Sequence, residues 1–181
     1  MTESDGAWAA RIIARFSEAH LRAAIAVGEF TEPRHREFLI HQVRERQRRL
    51  LARYLTRLSP LTDVKIQGRK LCAVDLARAT GIAQPAALRY SATAYSGTDA
   101  TPLRKPLSVS AAGAAEVCVA IDAIASDAGP ADGDPSRYLV VDLSNGQAEG
   151  PLRAHIYDLG PERGLRLAGI ERPEASSAPV F

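Results

Sequence analysis

The chain has 181 residues, 46% of them hydrophobic and 24% charged, with a net charge of +2 and two cysteines. That length buries one good core with room for a smaller attachment, and the globular composition excludes wholesale disorder. Two thiols exclude a disulfide-dense scaffold and a four-thiolate zinc site, and no run reaches the ~20 apolar residues that span a bilayer.

The charge is unevenly divided. Residues 1–60 hold eleven Arg against seven Asp and Glu, a net +4, while residues 61–181 hold twelve Lys and Arg against fourteen Asp and Glu, a net −2. A free-standing nucleic-acid binder carries a larger basic excess. The opening MTESDGAWAARIIARF places acids first and arginines inside its apolar part, unlike a secretory signal. The chain as it stands is therefore expected in the cytoplasm; for a fragment of a longer protein the expectation becomes an exported or cell-envelope location.

From Asp5 to Phe16 the spacing predicts a helix with Trp8, Ile12, Ile13 and Phe16 on one face. Ser17 caps a second helix, EAHLRAAIAVGEF, that stops near Gly28. Thr31-Glu32-Pro33 starts a third: a capping threonine, an acid in the first turn and a proline whose missing N–H costs nothing there. It ends near Leu58, because Pro60 disfavours helical geometry in the residue before it.

After Pro60 the apolar period changes from 3.6 to 2. Val64 and Ile66 lead through a Gln67-Gly68-Arg69 turn into LCAVDLA. Further strands are predicted at ALRYSATAY, PLSVS, EVCVAID, RYLVVDL, LRAHIYDL and LRLAGIE, separated by turn-rich pieces. Seven or eight short strands at this spacing predict an antiparallel β-sandwich, immunoglobulin-like or related. The reading is therefore an α+β chain: a helical segment at 1–60, the sandwich at 61–172 and a flexible tail at 173–181.

The third helix contains RHREFLIHQVRERQRRLLARYLTR, with eight arginines and two glutamates. On a helical wheel Leu39, Ile40, Val43, Gln47, Leu50, Leu51, Tyr54, Leu55 and Leu58 form a broad apolar sector. Arg46, Arg49, Arg53 and Arg57 run along one flank, and Arg44 and Arg48 along the other. Arginines bordering an apolar stripe lay their methylenes on the seam and their heads in water, so a scaffold helix is the first reading. Contact with an acidic protein surface is the second. Phosphate tracking along Arg46, Arg49, Arg53 and Arg57 is the third, and the absence of stacking aromatics and helix-turn-helix spacing argues against nucleic acid.

Other chemistry is sparse. His35 and His41 are six apart, a poor spacing for a metal pair on a helix, and no HExxH, CxxC or GxSxG occurs, so neither metal nor cofactor is expected. Cys72 and Cys118 read as small buried hydrophobes; their separation of 46 also suits an inter-sheet bridge, and pairing stays open. Arg153, His155 and Tyr157 share one strand face, either a polar patch or the solvent side of a surface strand. Asp127, Asp132 and Asp134 sit in a loop whose spacing misses the calcium-loop order.

Residues Trp8 to Phe16, the Gly28 to Pro33 link and Arg44 to Leu61 together resemble a segment near the C-terminal end of large uncharacterised bacterial proteins, and GLRLAGIERPE resembles their final strand. RRLLARY departs from the R-R-D/E-x-I expected in that helix. The resemblance implies the tail of a longer polypeptide, with catalytic residues elsewhere. The expected role is accordingly a non-catalytic structural or protein-interaction module, partnered by another protein or a neighbouring domain. Weak polyanion binding, or a hydrolase or ligand-binding sandwich, stands as the alternative.

Overall fold

In the computed structural model, which describes residues 2–97, 100–103, 107–121 and 137–174, three helices precede two sheets. Helix α1 (Glu3–Ile13) starts earlier than its apolar spacing suggests, because Thr2 and Asp5 form a reciprocal cap. Helix α2 (Glu18–Ala26) is capped by Ser17, whose hydroxyl accepts from the His20 N–H while His20 Nδ1 accepts from the Ser17 N–H. Helix α3 (Pro33–Tyr54) takes Glu32 as its N-cap without a side-chain bond, so Thr31 does not cap it. It ends one turn short of Leu58. The last turn breaks into the segment that buries Leu55, Leu58, Ser59 and Pro60 at the root of the sheets.

Eight strands follow among the described residues. Strands β1 (Leu61–Gln67) and β2 (Lys70–Asp75) make a hairpin across Gly68-Arg69, and Gly68 supplies the positive φ (+58°) that the turn requires. A short helix, α4 (Leu76–Ala79), leads towards β3 (Ser91–Ser96). Strands β4 (Val109–Ala112) and β5 (Glu116–Ala120) pair with each other. Then β6 (Tyr138–Ser144), β7 (Leu152–Asp158) and β8 (Leu165–Glu171) run as a meander, with the one-turn α5 (Gly160–Arg163) before β8. All pairings are antiparallel, in two four-stranded sheets ordered β1-β2-β5-β4 and β3-β6-β7-β8.

Alternation decides which side chains are buried. Leu71 and Ala73 on β2 and Val117 and Val119 on β5 turn one way. They share a hydrophobic core with Ala94 on β3, Leu139, Val141 and Leu143 on β6, and Ala154 and Ile156 on β7. Each large aliphatic in that core contributes about 1.5–3 kcal/mol relative to exposure. A second, smaller cluster of Ala10, Leu51, Leu55, Leu76 and Ala77 fastens the helices to α4. Helix α1 approaches α3 closely because Gly6 has no side chain: a Cβ there would stand 2.2 Å from the Tyr54 ring.

Cys72 and Cys118 are bridged. They face each other directly across β2 and β5, on the side away from Leu71 and Val119, so the bond staples two neighbours within one sheet and does not cross between sheets. It closes a loop spanning 46 positions. Reduction, or replacement of both cysteines by alanine, is expected to cost about 2–4 kcal/mol, read as a lower urea midpoint under reducing conditions. The aspartates at 127, 132 and 134, like residues 175–181 of the tail, lie outside the described residues.

Candidate functional site

Helices α1 and α2 lie one after the other along α3, both antiparallel to it. Ion pairs fix the register: Glu3 with Arg53 at 2.8 Å, Glu18 with Arg44 at 2.8 Å, and Glu37 with Arg22 at 2.9 Å. Gln47 lies in the apolar sector of the wheel for a polar reason. Its Nε2 donates to the carbonyls of Ile13 (3.0 Å) and Phe16 (2.9 Å), adding a side-chain partner where α1 ends and its last carbonyls run out of helical ones.

This arm buries little. Helix α2 has no buried residue, and between Pro33 and Leu50 only Ile40 is buried on α3. Large apolar side chains face solvent along its length: Trp8 (62% exposed), Ile12, Phe16, Val27 (80%), Phe30 and Phe38 (66%). Ile13, Phe16, Leu21, Val43 and Leu50 line an apolar groove of about 370 Å³ with Arg46 in its wall. A more polar cavity of about 520 Å³, where the arm meets α4, takes Arg15, Glu18, His41, Arg44, Glu45 and Arg48 into its lining.

The flank read from sequence divides in two. Arg53 pairs with Glu3 and lies 5.4 Å from the Tyr54 ring centroid, and Arg57 pairs with Glu149 at 2.6 Å. Arg46 and Arg49 are exposed and meet no carboxylate among the described residues. Two free guanidinium groups therefore remain beside the apolar groove, in place of a row of four.

The second polar group lies on the outward face of β3-β6-β7-β8. Arg153, His155 and Tyr157 do share that face of β7, an interior strand, and exposure rises along the row: Arg153 is buried, His155 half-buried and Tyr157 39% exposed. Arg153 is 5% exposed and grips Asp142, directly opposite on β6, through two bonds of 2.8 and 2.9 Å. That carboxylate holds the guanidinium pKa above its ordinary value. Val140 on the same face is fully buried.

His155 sits between two groups. Its Nδ1 shares a hydrogen bond with the Tyr138 hydroxyl, and its Nε2 stands 3.3 Å from Glu171 Oε1, in ion-pair range but outside hydrogen-bond geometry. Tyr138 stacks on His155 at 5.8 Å between centroids and tilts against Tyr157 at 5.0 Å. Burial, then the neighbouring Tyr157 and Glu171, push the Tyr138 phenol pKa up, so the phenol is kept protonated as a donor and is not activated as a nucleophile. Sequence reading missed Tyr138, Asp142 and Glu171. Alternation in RYLVVDL does put Tyr138 and Asp142 on one face, but only the strand register sets them opposite Tyr157 and Arg153.

Among the described residues no three His, Cys, Asp or Glu side chains gather as a metal set, and no helix is long and apolar enough to cross a membrane. No family model, curated protein or solved structure matches this chain.

Proposed function

We propose that the chain is a non-catalytic protein-interaction module, the accessory part of a larger bacterial protein, in which an immunoglobulin-like sandwich carries a helical docking arm. The sandwich reading is supported by the strand order. Sheets of β1-β2-β5-β4 and β3-β6-β7 repeat the ABED and CFG order of constant-type immunoglobulin domains, with β8 added at the edge. The bridge departs from that pattern, joining the second and fifth strands instead of the second and sixth.

One observation carries the docking role: six large apolar side chains stand exposed along an arm whose second helix buries nothing. The occupant we infer is an acidic, amphipathic segment of another protein. Among the described residues Arg46, in the groove wall, and Arg49 meet no carboxylate, and the first 60 residues carry a net +4. A second copy of the chain would set these like charges against each other. Polyanion binding is weakened as a reading, since Arg53 and Arg57 are already neutralised.

Trp8, the only tryptophan, reports on this surface. Titration with a Trp-free helical peptide of about 20 residues, Leu on one face and Glu on the other, is expected to blue-shift its emission saturably at micromolar peptide. The affinity should fall as salt rises past the ~8 Å screening regime of 0.15 M. No shift up to millimolar peptide, or concentration-dependent dimerisation of the chain alone in sedimentation, rejects the reading.

A second reading rests on the buried outward face. The cluster of Tyr138, His155 and Glu171 beside Arg153 suits binding of a polar ligand, with His155 Nε2 left as a ring nitrogen outside any hydrogen bond among the described residues.

A further inference from the structure

Away from the apolar groove, where α1 meets the start of the first sheet, three arginines lie near β1 and one of them holds an acid. Arg15, at the end of α1, takes Asp63 in an ion pair of 2.7 Å, so this side of the helix runs along β1. Arg11 lies one turn earlier on the same side, ~6 Å back along the helix, as far as Leu61 lies from Asp63 along the strand. The Leu61 carbonyl accepts a 2.7 Å bond from Arg172 Nη2, just after β8. Arg11 and Arg172 thus lie at the same junction of helix and sheets, near enough for the charge of one to act on the other.

Both are short of partners. Arg11 Nη1 and Arg172 Nε are shielded from solvent and, among the described residues, have no hydrogen-bond acceptor and no carboxylate within ion-pair reach. Burial lowers the pKa of both guanidinium groups. That of Arg172 is pushed down to about 10, first by burial and then by the charge of Arg11. Two neighbouring, half-buried like charges, each with one shielded and unused donor, carry a cost to folding that a bound anion offsets.

We propose that Arg11 and Arg172 form a binding site for a tetrahedral oxyanion, a phosphate or phosphoryl group. Guanidinium groups present several N–H donors in a planar fork matched to such oxygens, and two of them suit a dianion better than a single carboxylate. The adjacent Arg15–Asp63 pair leaves the junction with a surplus of positive charge that a bound anion neutralises.

Thermal unfolding of the full chain in sodium phosphate, against sodium chloride at matched ionic strength, tests this. At a hundredfold excess over Kd, phosphate is expected to raise the midpoint by roughly 5 °C beyond chloride. The excess should vanish in Arg11→Met and in Arg172→Met. Arg172→Met also loses the bond to the Leu61 carbonyl, whereas Arg11→Met removes no hydrogen bond, so Arg11→Met carries the test if the other folds poorly. Parallel titrations with inorganic phosphate and with phosphoserine identify the source: tighter binding of the ester marks a phosphorylated ligand, tighter binding of the ion marks free phosphate. A phosphate effect no larger than that of chloride overturns the assignment, as does an equal effect in wild type and Arg11→Met.

Discussion

Asp75→Ala is expected to lower folding stability by about 3–5 kcal/mol, more than a typical point substitution. The Asp75 carboxylate is fully buried at the end of β2 and accepts four hydrogen bonds. Its Oδ1 takes the Ala77 and Arg78 N–H groups (2.9 and 3.3 Å) and so caps α4, while its Oδ2 takes the Tyr90 hydroxyl (2.9 Å) and Asn145 Nδ2 (3.2 Å). Asn145 in turn accepts from the Gln147 and Ala148 N–H groups in the β6–β7 turn. Asp75 therefore ties the last residue of β2 to the entry of β3 and the exit of β6, joining the two sheets at one end. Bonds to a charged acceptor are worth about 1.5–3 kcal/mol each, and truncation leaves buried donors unpaired. Burial, then Asp75, raises the Tyr90 pKa, which keeps this hydroxyl a donor. Urea denaturation should show a lower midpoint with an unchanged slope. A loss below about 1 kcal/mol would mean that water replaces these bonds and that the two sheets are not coupled through Asp75.

Asp142→Ala is expected to cost a comparable 3–5 kcal/mol for a different reason. It removes the carboxylate that Arg153 grips through two bonds while the guanidinium stays buried, and breaking a buried pair on one side costs far more than removing both partners. Removing both charges should cost far less: Asp142→Leu with Arg153→Met is expected within about 1 kcal/mol of wild type, since apolar replacements also relieve the desolvation penalty. The double-mutant cycle in urea measures the difference directly. If Asp142→Ala proves neutral, solvent reaches Arg153 and the outward face of the second sheet is open, which would favour a ligand site there over a sealed structural pair.

The strands were legible because alternation is a local signal. LRAHIYDL and EVCVAID contain their observed strands, RYLVVDL misses only the last residue of its own, and the turn at Gly68 needs only the residue that tolerates a positive φ. Interactions far apart in sequence were not legible. Cys72 and Cys118 could be counted, but their pairing depends on β2 meeting β5 in register, which the turns of neither strand reveal. The Asp75 hub joins partners 15 and 70 residues away. The arginine flank shows the same limit in charge. A wheel places Arg46, Arg49, Arg53 and Arg57 together, yet Glu3 and Glu149, which neutralise two of them, lie 50 and 92 residues distant. Exposure of the apolar arm was hidden for a related reason. The wheel predicts a broad apolar face on α3, and that sector is indeed covered, but Phe38 lies outside it, and Trp8, Ile12 and Phe16 face solvent from the covering α1 and its end.

The docking arm is tested most directly by the Trp8 peptide titration on the Phe16→Ser/Phe38→Ser variant, with urea denaturation on the same sample. Both side chains are more than half exposed, so folding stability is expected to stay within about 0.5 kcal/mol of wild type. Binding of the acidic amphipathic peptide is expected to weaken at least tenfold, because Phe16, one apolar wall of the groove, is gone together with the exposed Phe38 of the same arm. Unchanged binding together with a stability loss of 2 kcal/mol or more, about the value for a buried aromatic, would place these residues in the folding core and contradict a docking role for the arm.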